Sequence, residues 1–220
     1  MIKYCIFDLD GTLLNTINTI SYYANMALDK NGLDSIETEK YNYLVGEGAK
    51  VLADRMLKHL DKYTPELSEK LFRDYVSEYD KDTNYLTVVY DGIFELIEGL
   101  EARGIKSVVL TNKPQSSAEL VLEKFFPGVF AECLGVSEGV VPKPDPTQLF
   151  SLMERNGLKK EDCIYVGDTG TDMKTAKGAD IVSFGALWGF REINELRDNG
   201  AHYIVASPTD ILPIIDEINK

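Results

Sequence analysis

Two carboxylates stand two residues apart at the end of an apolar run, Tyr4-Cys5-Ile6-Phe7-Asp8-Leu9-Asp10-Gly11-Thr12. Alone, the pair also reads as an Asp-Gly turn with solvated acids. Further along the chain come Thr111-Asn112-Lys113, then Lys143 among alternating prolines in Val141-Pro142-Lys143-Pro144-Asp145-Pro146, then Asp168 and Asp172 in Gly167-Asp168-Thr169-Gly170-Thr171-Asp172. Unit charges ~4 Å apart interact by about 4 kcal/mol at an effective dielectric near 20, so crowded carboxylates repel unless a cation joins them. A divalent metal is therefore implied. Oxygen-only ligands with no His or Cys among them favour magnesium, which commonly sits beside phosphate. With a threonine hydroxyl to donate and a lysine to supply fixed positive charge, the set suits a phosphoryl group.

Positioning such a set requires elements that bring distant residues to one edge. Residues 4 to 7 are apolar with no clean alternation, as in a strand buried on both faces of a parallel sheet. Ile105–Leu110 is a β-branched run that delivers Thr111, and Cys163–Val166 delivers Asp168. A short apolar segment around Cys133–Val136 precedes the Lys143 loop, where prolines exclude a helix. Parallel strands present their carboxyl ends together, and in open α/β sheets that edge is where ligands bind. From Tyr85 onward helix and strand patterns alternate: helices are expected over 92–102, 116–126, 147–156 and 211–218, and strands over 181–184 and 203–205. The fold class is α/β, a doubly wound parallel sheet.

Between these parts, residues 17–82 carry no strand pattern. Ile20, Tyr23, Ala24, Ala27 and Leu28 recur at helical spacing and stop at Asn31-Gly32; a second helix is expected over 48–60, and a third starts near Pro65. The expected organisation is a core of residues 1–15 and 84–220 with a helical insertion over 16–83.

Bulk properties narrow the function classes. At 220 residues the chain can bury a sizeable core, and its net charge of −13 disfavours nucleic acid and anionic membrane as partners. Three cysteines without CxxC spacing argue against a disulfide framework or a zinc site. No stretch reads as a signal peptide or membrane span, and a reducing cytoplasm is the expected location.

Taken in order, DLDGTLLNT, TNK, KPDP and GDTGTDMKTA resemble the four motifs of the haloacid dehalogenase superfamily. Within it the chain is most similar to the phosphoglycolate phosphatase-like branch, whose small helical cap follows the first motif. The resemblance implies a Rossmann-like core and magnesium-dependent hydrolysis of a small phosphate monoester through an aspartyl phosphate. Asp8 would be the nucleophile, and Asp10 would protonate the leaving oxygen and later deprotonate water. That first role needs a carboxyl pKa well above the ordinary ~3.9. Asp8, Asp10 (through its backbone carbonyl) and Asp168 would hold magnesium, with Asp172 a further acid beside them. Thr111, Asn112, Lys143 and the backbone around Leu9 and Gly11 would bind phosphate.

In this family the cap usually closes over the core and meets the leaving group. Glu47, Gly48 and Lys50 are the candidate substrate contacts, and Leu187–Arg191 is a candidate crevice lining. The partner would be a small phosphorylated metabolite, and the chain a monomer or homodimer. A sugar-phosphate mutase or an inorganic pyrophosphatase would use the same core. A receiver-type signalling domain also groups acids, Thr and Lys, but is near half this length. Dehalogenation has no role for Asp10, and a catalytically dead binding protein would not need the full set of acids.

Overall fold

The computed structural model describes residues 1–220, which divide into two compact units. The first comprises Met1–Asn15 with Val89–Lys220, and the second is Thr16–Val88.

In the first unit six parallel strands form one sheet. In chain order the elements are β1 (Tyr4–Phe7), a two-residue β2 (Leu14–Asn15), then, after the second unit, β3 (Val88–Val89) and α5 (Ile93–Glu101). They continue through β4 (Lys106–Pro114), α6 (Gln115–Phe125), β5 (Glu132–Val136), α7 (Thr147–Asn156) and β6 (Cys163–Gly167). The last are α8 (Gly170–Gly178), β7 (Val182–Ala186), α9 (Ile193–Asp198), β8 (Tyr203–Val205) and α10 (Ile211–Ile218). The sheet order is β5-β4-β1-β6-β7-β8, with β1 paired in parallel to β4 on one side and to β6 on the other. The chain builds outward from β1 in one direction and returns to build in the other. The carboxyl end of β1 therefore lies at the switch point, where the flanking connections diverge and leave a crevice.

Both faces of the sheet are covered, which explains the unbroken apolar runs. Cys5 and Phe7 of β1 pack with Ile93, Leu96 and Leu100 of α5, Val121 of α6 and Ile211 of α10. Tyr4 and Ile6 face the opposite layer, with Leu149 and Leu152 of α7 and Ala176 of α8. Alternate β6 residues divide in the same way, Ile164 and Val166 to one layer and Cys163 and Tyr165 to the other. The three cysteines are free.

The second unit is helical: α1 (Ile17–Lys30), α2 (Thr38–Leu44), α3 (Ala49–His59) and α4 (Pro65–Tyr79). Its interior is built from the apolar stripes of Ile20, Tyr23, Ala24 and Leu28 on α1, Leu52, Met56 and Leu57 on α3, and Leu71 and Tyr75 on α4. Thr64 caps α4, its hydroxyl accepting from the Leu67 N–H at 3.2 Å with Pro65 in the first turn. Helix α2 has no counterpart in the sequence reading. It is seven residues long with only Tyr41 and Leu44 buried, too short for an apolar period to emerge. Helix α9 was likewise not expected, and it has six residues.

Candidate active site

Strand β1 ends at Phe7, so Asp8 is the first residue beyond the sheet and is still held by it: its N–H donates to the Val166 carbonyl at 2.9 Å. Asp8 is buried, with a side chain 11% exposed. Its Oδ1 accepts from the Leu9 N–H at 2.7 Å and meets Lys143 Nζ at 2.8 Å. Lys143 is 3% exposed and reaches across to Asp172 Oδ1 at 2.7 Å. One buried ammonium thus neutralises two carboxylates, one just past β1 and one in the first turn of α8.

The Lys143 backbone is fixed by Asn112. The Asn112 amide donates to the Lys143 carbonyl at 3.0 Å, and the Lys143 N–H donates to Asn112 Oδ1 at 2.8 Å. The side-chain amide of Asn112, expected at the phosphate, is engaged with the lysine loop instead. The alternating prolines do not act alone, since this amide pair holds the loop to β4.

Asp172 is fully buried at the third position of α8. Its Oδ2 accepts from the Thr169 N–H at 3.0 Å and the Thr169 hydroxyl at 2.7 Å, closing a capping box. Its Oδ1 accepts from Tyr165 Oη at 3.1 Å besides Lys143. The helix-capping role and the ion pair therefore coexist in one carboxylate, each using a different oxygen.

Asp168 is also fully buried. The Thr12 hydroxyl donates to its Oδ1 at 2.9 Å and the Phe190 N–H to its Oδ2 at 2.8 Å. The segment after β7 thus closes on the first-motif loop, and Trp188 Nε1 donates to the Thr12 carbonyl at 2.9 Å. Close approach is possible only because two residues lack a side chain. A Cβ on Gly189 would lie 2.2 Å from Asp168 Cβ, and one on Gly11, where φ is +92°, would lie 2.4 Å from Asp168 Oδ2. The Gly11 N–H, expected at phosphate, donates to the Leu14 carbonyl at 2.8 Å, and the Leu9 N–H is taken by Asp8. Gly11 contributes space rather than a donor. The sequence marks Leu187–Arg191 as a candidate crevice lining; the clamp on Asp168 comes from the Phe190 backbone N–H, which leaves no residue-type signal.

Burial dominates the electrostatics. It pushes the Asp8 carboxyl well above the ordinary range, with Asp172 adding to the rise and Lys143 opposing it. Burial and the Asp172 charge push Asp168 up to about 7. For Lys143 burial opposes the charged form, but Asp172 and Asp8 outweigh it and hold the ammonium well above its usual value. One oxygen each from Asp8, Asp168 and Asp172 lies within 4.8 Å of the others. Three converging, buried, oxygen-only acids with one lysine between two of them fit a hard divalent cation such as magnesium.

Thr111 and Lys113 lie in the carboxyl-terminal part of β4, which extends to Pro114 rather than stopping at Leu110. The Thr111 side chain is buried, and its Oγ1 accepts from the Lys113 N–H at 3.1 Å while keeping its own proton to donate. Lys113 Nζ lies 3.0 and 3.2 Å from the two Asp10 oxygens. The sequence reading gave Lys113 no role, although it stands in the second motif.

Glu47, Gly48 and Lys50 belong to the second unit, away in sequence from these strand ends. Gly48, with φ +90°, immediately precedes α3, a backbone conformation that favours glycine. Glu47 pairs with Arg55, and Lys50 Nζ donates to Ser68 Oγ at 2.5 Å and pairs with Asp54 at 3.4 Å.

A sequence profile described as haloacid dehalogenase-like hydrolase matches residues 5–186. The chain belongs to that family and is an enzyme of the hydrolase class. It is 29% identical to the phosphoglycolate phosphatase of Vibrio parahaemolyticus over 97% of its own length and 96% of that protein's. Its fold superposes with a TM-score of 0.90 on a crystal structure described as a predicted phosphoglycolate phosphatase from Haemophilus somnus, at 27% identity over 97% and 98% of the two chains. A β-phosphoglucomutase from Clostridium difficile shares the fold at a TM-score of 0.76 and 21% identity, over 99% and 97% of the two chains. No helix is long and apolar enough to cross a membrane.

Proposed function

We propose that the chain is a magnesium-dependent phosphatase acting on a small, phosphoglycolate-like phosphate monoester through a phospho-aspartate. The observation that carries this reading is the buried Lys143 shared between Asp8 and Asp172 with Asp168 beside them. An aspartate held this way beside a fixed positive charge suits attack on an anionic phosphoryl group. Full-length similarity to a phosphoglycolate phosphatase supports the substrate class.

In this reading both donors to Asp8 take Oδ1, so Oδ2 is assigned as the attacking oxygen. Lys143 offsets charge on the nucleophile and then on the transferring group. The Thr111 hydroxyl donates to a phosphoryl oxygen. Asp10 gives a proton to the departing oxygen and takes one back from the attacking water. Asn112 and Asp172 hold Lys143 from its backbone and its ammonium. Asp8, the Asp10 carbonyl and Asp168 would hold magnesium, which when bound supplies positive charge to the phosphoryl oxygens. Residues 16–83 are assigned as the cap, with Glu47, Gly48 and Lys50 its candidate substrate contacts.

The test is phosphate release from a panel of phosphoglycolate, sugar phosphates, nucleoside monophosphates and pyrophosphate, with and without magnesium. Magnesium-dependent release fastest from a small monoester is expected. Release from none of them overturns the hydrolase assignment, and isomerisation of a sugar phosphate without release points to a mutase.

A further inference from the structure

The buried lysine of the second motif is not used by the chemistry described above. Lys113 has a side chain only 5% exposed, against 21% for Asp10, and its ammonium bridges both Asp10 oxygens at 3.0 and 3.2 Å. It projects from the carboxyl-terminal part of β4, just before Pro114, where the strand regains its pairing with β5 after a shift of register beyond Leu110. Asp10 has less support: it sits in the turn after β1, joined to the fold by an isolated bridge to Leu14. A carboxyl on a turn rotates unless another group holds it. Burying a lysine costs rotamer freedom and desolvation, so an ammonium held here implies a specific partner.

We propose that Lys113 is a positioning residue that aims the Asp10 carboxyl at the leaving-group oxygen, an inference that rests on the phosphatase reading. In the first step the Asp8 oxygen–phosphorus bond forms as the ester P–O bond breaks, and the proton of Asp10 goes to the departing alcohol oxygen. In the second, water attacks phosphorus, its proton returns to Asp10, and phosphate leaves as the Asp8 carboxylate is restored. Lys113 exchanges no proton in either step: the two-oxygen bridge holds the carboxylate form of Asp10, and when Asp10 carries the proton one oxygen leaves the ammonium and the other keeps the contact. Its contribution is geometric, and a misplacement of about 1 Å can cost on the order of 100-fold.

The experiment compares Lys113→Met with wild type on two esters in the presence of magnesium. For 2-phosphoglycolate, whose alkoxide needs a proton to leave, kcat is expected to fall about 10- to 100-fold with KM little changed. For p-nitrophenyl phosphate, whose leaving group needs none, the first-turnover burst of nitrophenol should keep its wild-type rate while later turnovers slow. In an Asp10→Asn background the same substitution should cost nothing further. The double variant leaves no charge unpaired, so it keeps the test available where Lys113→Met alone fails to fold. An equal loss in the burst and with 2-phosphoglycolate, or the same loss without Asp10, would make Lys113 a structural residue and overturn the proposal. Unchanged kcat on 2-phosphoglycolate would overturn it as well. A wild type that gives no nitrophenol burst and releases no phosphate from either ester refutes instead the phosphatase reading on which the inference stands.

Discussion

Removing divalent metal should leave a protein that loses stability as pH rises, and Asp168 sets the scale. Its carboxyl is pushed up to about 7 in the folded protein against an ordinary 3.8. Between those values the folded chain holds a proton that the unfolded chain has released, so the favourable contribution is complete below about 4 and is lost as pH rises through 7. At about 1.36 kcal/mol per pH unit the gap corresponds to on the order of 4 kcal/mol. Asp8, also raised by burial, acts in the same direction. Surface acids whose carboxyls are lowered, such as Asp162 and Asp180, act with the opposite sign and only in the acid range, so they do not mask the effect. The assay is urea unfolding near pH 5 and near pH 8, with chelator and with magnesium, for wild type and Asp168→Asn. The asparagine fits the existing donors: its oxygen accepts from the Phe190 N–H, and the Thr12 hydroxyl turns to accept from its amide. Of that span only the part above pH 5 falls between the two conditions, so chelated wild type should lose roughly 2–3 kcal/mol through Asp168, magnesium should restore most of it near pH 8, and the variant should show a flatter profile and little magnesium stabilisation. Equal pH dependence in both proteins, or equal stabilisation by magnesium, would refute the reasoning.

Three other substitutions probe different contacts. Lys143→Met leaves Asp8 and Asp172 facing each other in the interior, and denaturant unfolding in chelator should register a loss of about 3–5 kcal/mol with turnover abolished. Gly189→Ala forces a methyl within 2.2 Å of Asp168 Cβ and 2.4 Å of the Gly11 carbonyl. Unfolding should show about 1–3 kcal/mol of destabilisation, and calorimetric titration a magnesium affinity weakened about 10- to 100-fold. Asp8→Asn should abolish turnover with its circular dichroism unchanged; retained turnover would show that another residue attacks phosphorus.

The doubly wound sheet was legible because a strand covered on both faces has few polar residues, and β1, β4 and β6 each read as such a run. The acids and Lys143 were legible for a related reason: charged residues at the ends of apolar runs have no packing role to explain them. What failed to show in the sequence depends on who accepts from whom. Asn112 reads as a phosphate donor, yet its amide matches a backbone that only the fold places opposite. Gly11 reads as a loop amide at phosphate, but its N–H closes its own turn and its missing side chain makes room for Asp168. The Phe190 N–H that holds Asp168 belongs to a backbone any residue would supply. Lys113 was hidden differently, since a lysine after a strand usually points to water, whereas β4 runs on to Pro114 and the Lys113 side chain is buried against Asp10.

The central claim is that Asp8 accepts the phosphoryl group. Acid quenching within the first turnover on p-nitrophenyl phosphate with magnesium, followed by peptide mass spectrometry, measures this directly. The account predicts one added phosphoryl group on the peptide containing Asp8, absent in Asp8→Asn. Nitrophenol release with that peptide unmodified throughout, or with the phosphoryl group on another residue, would contradict it.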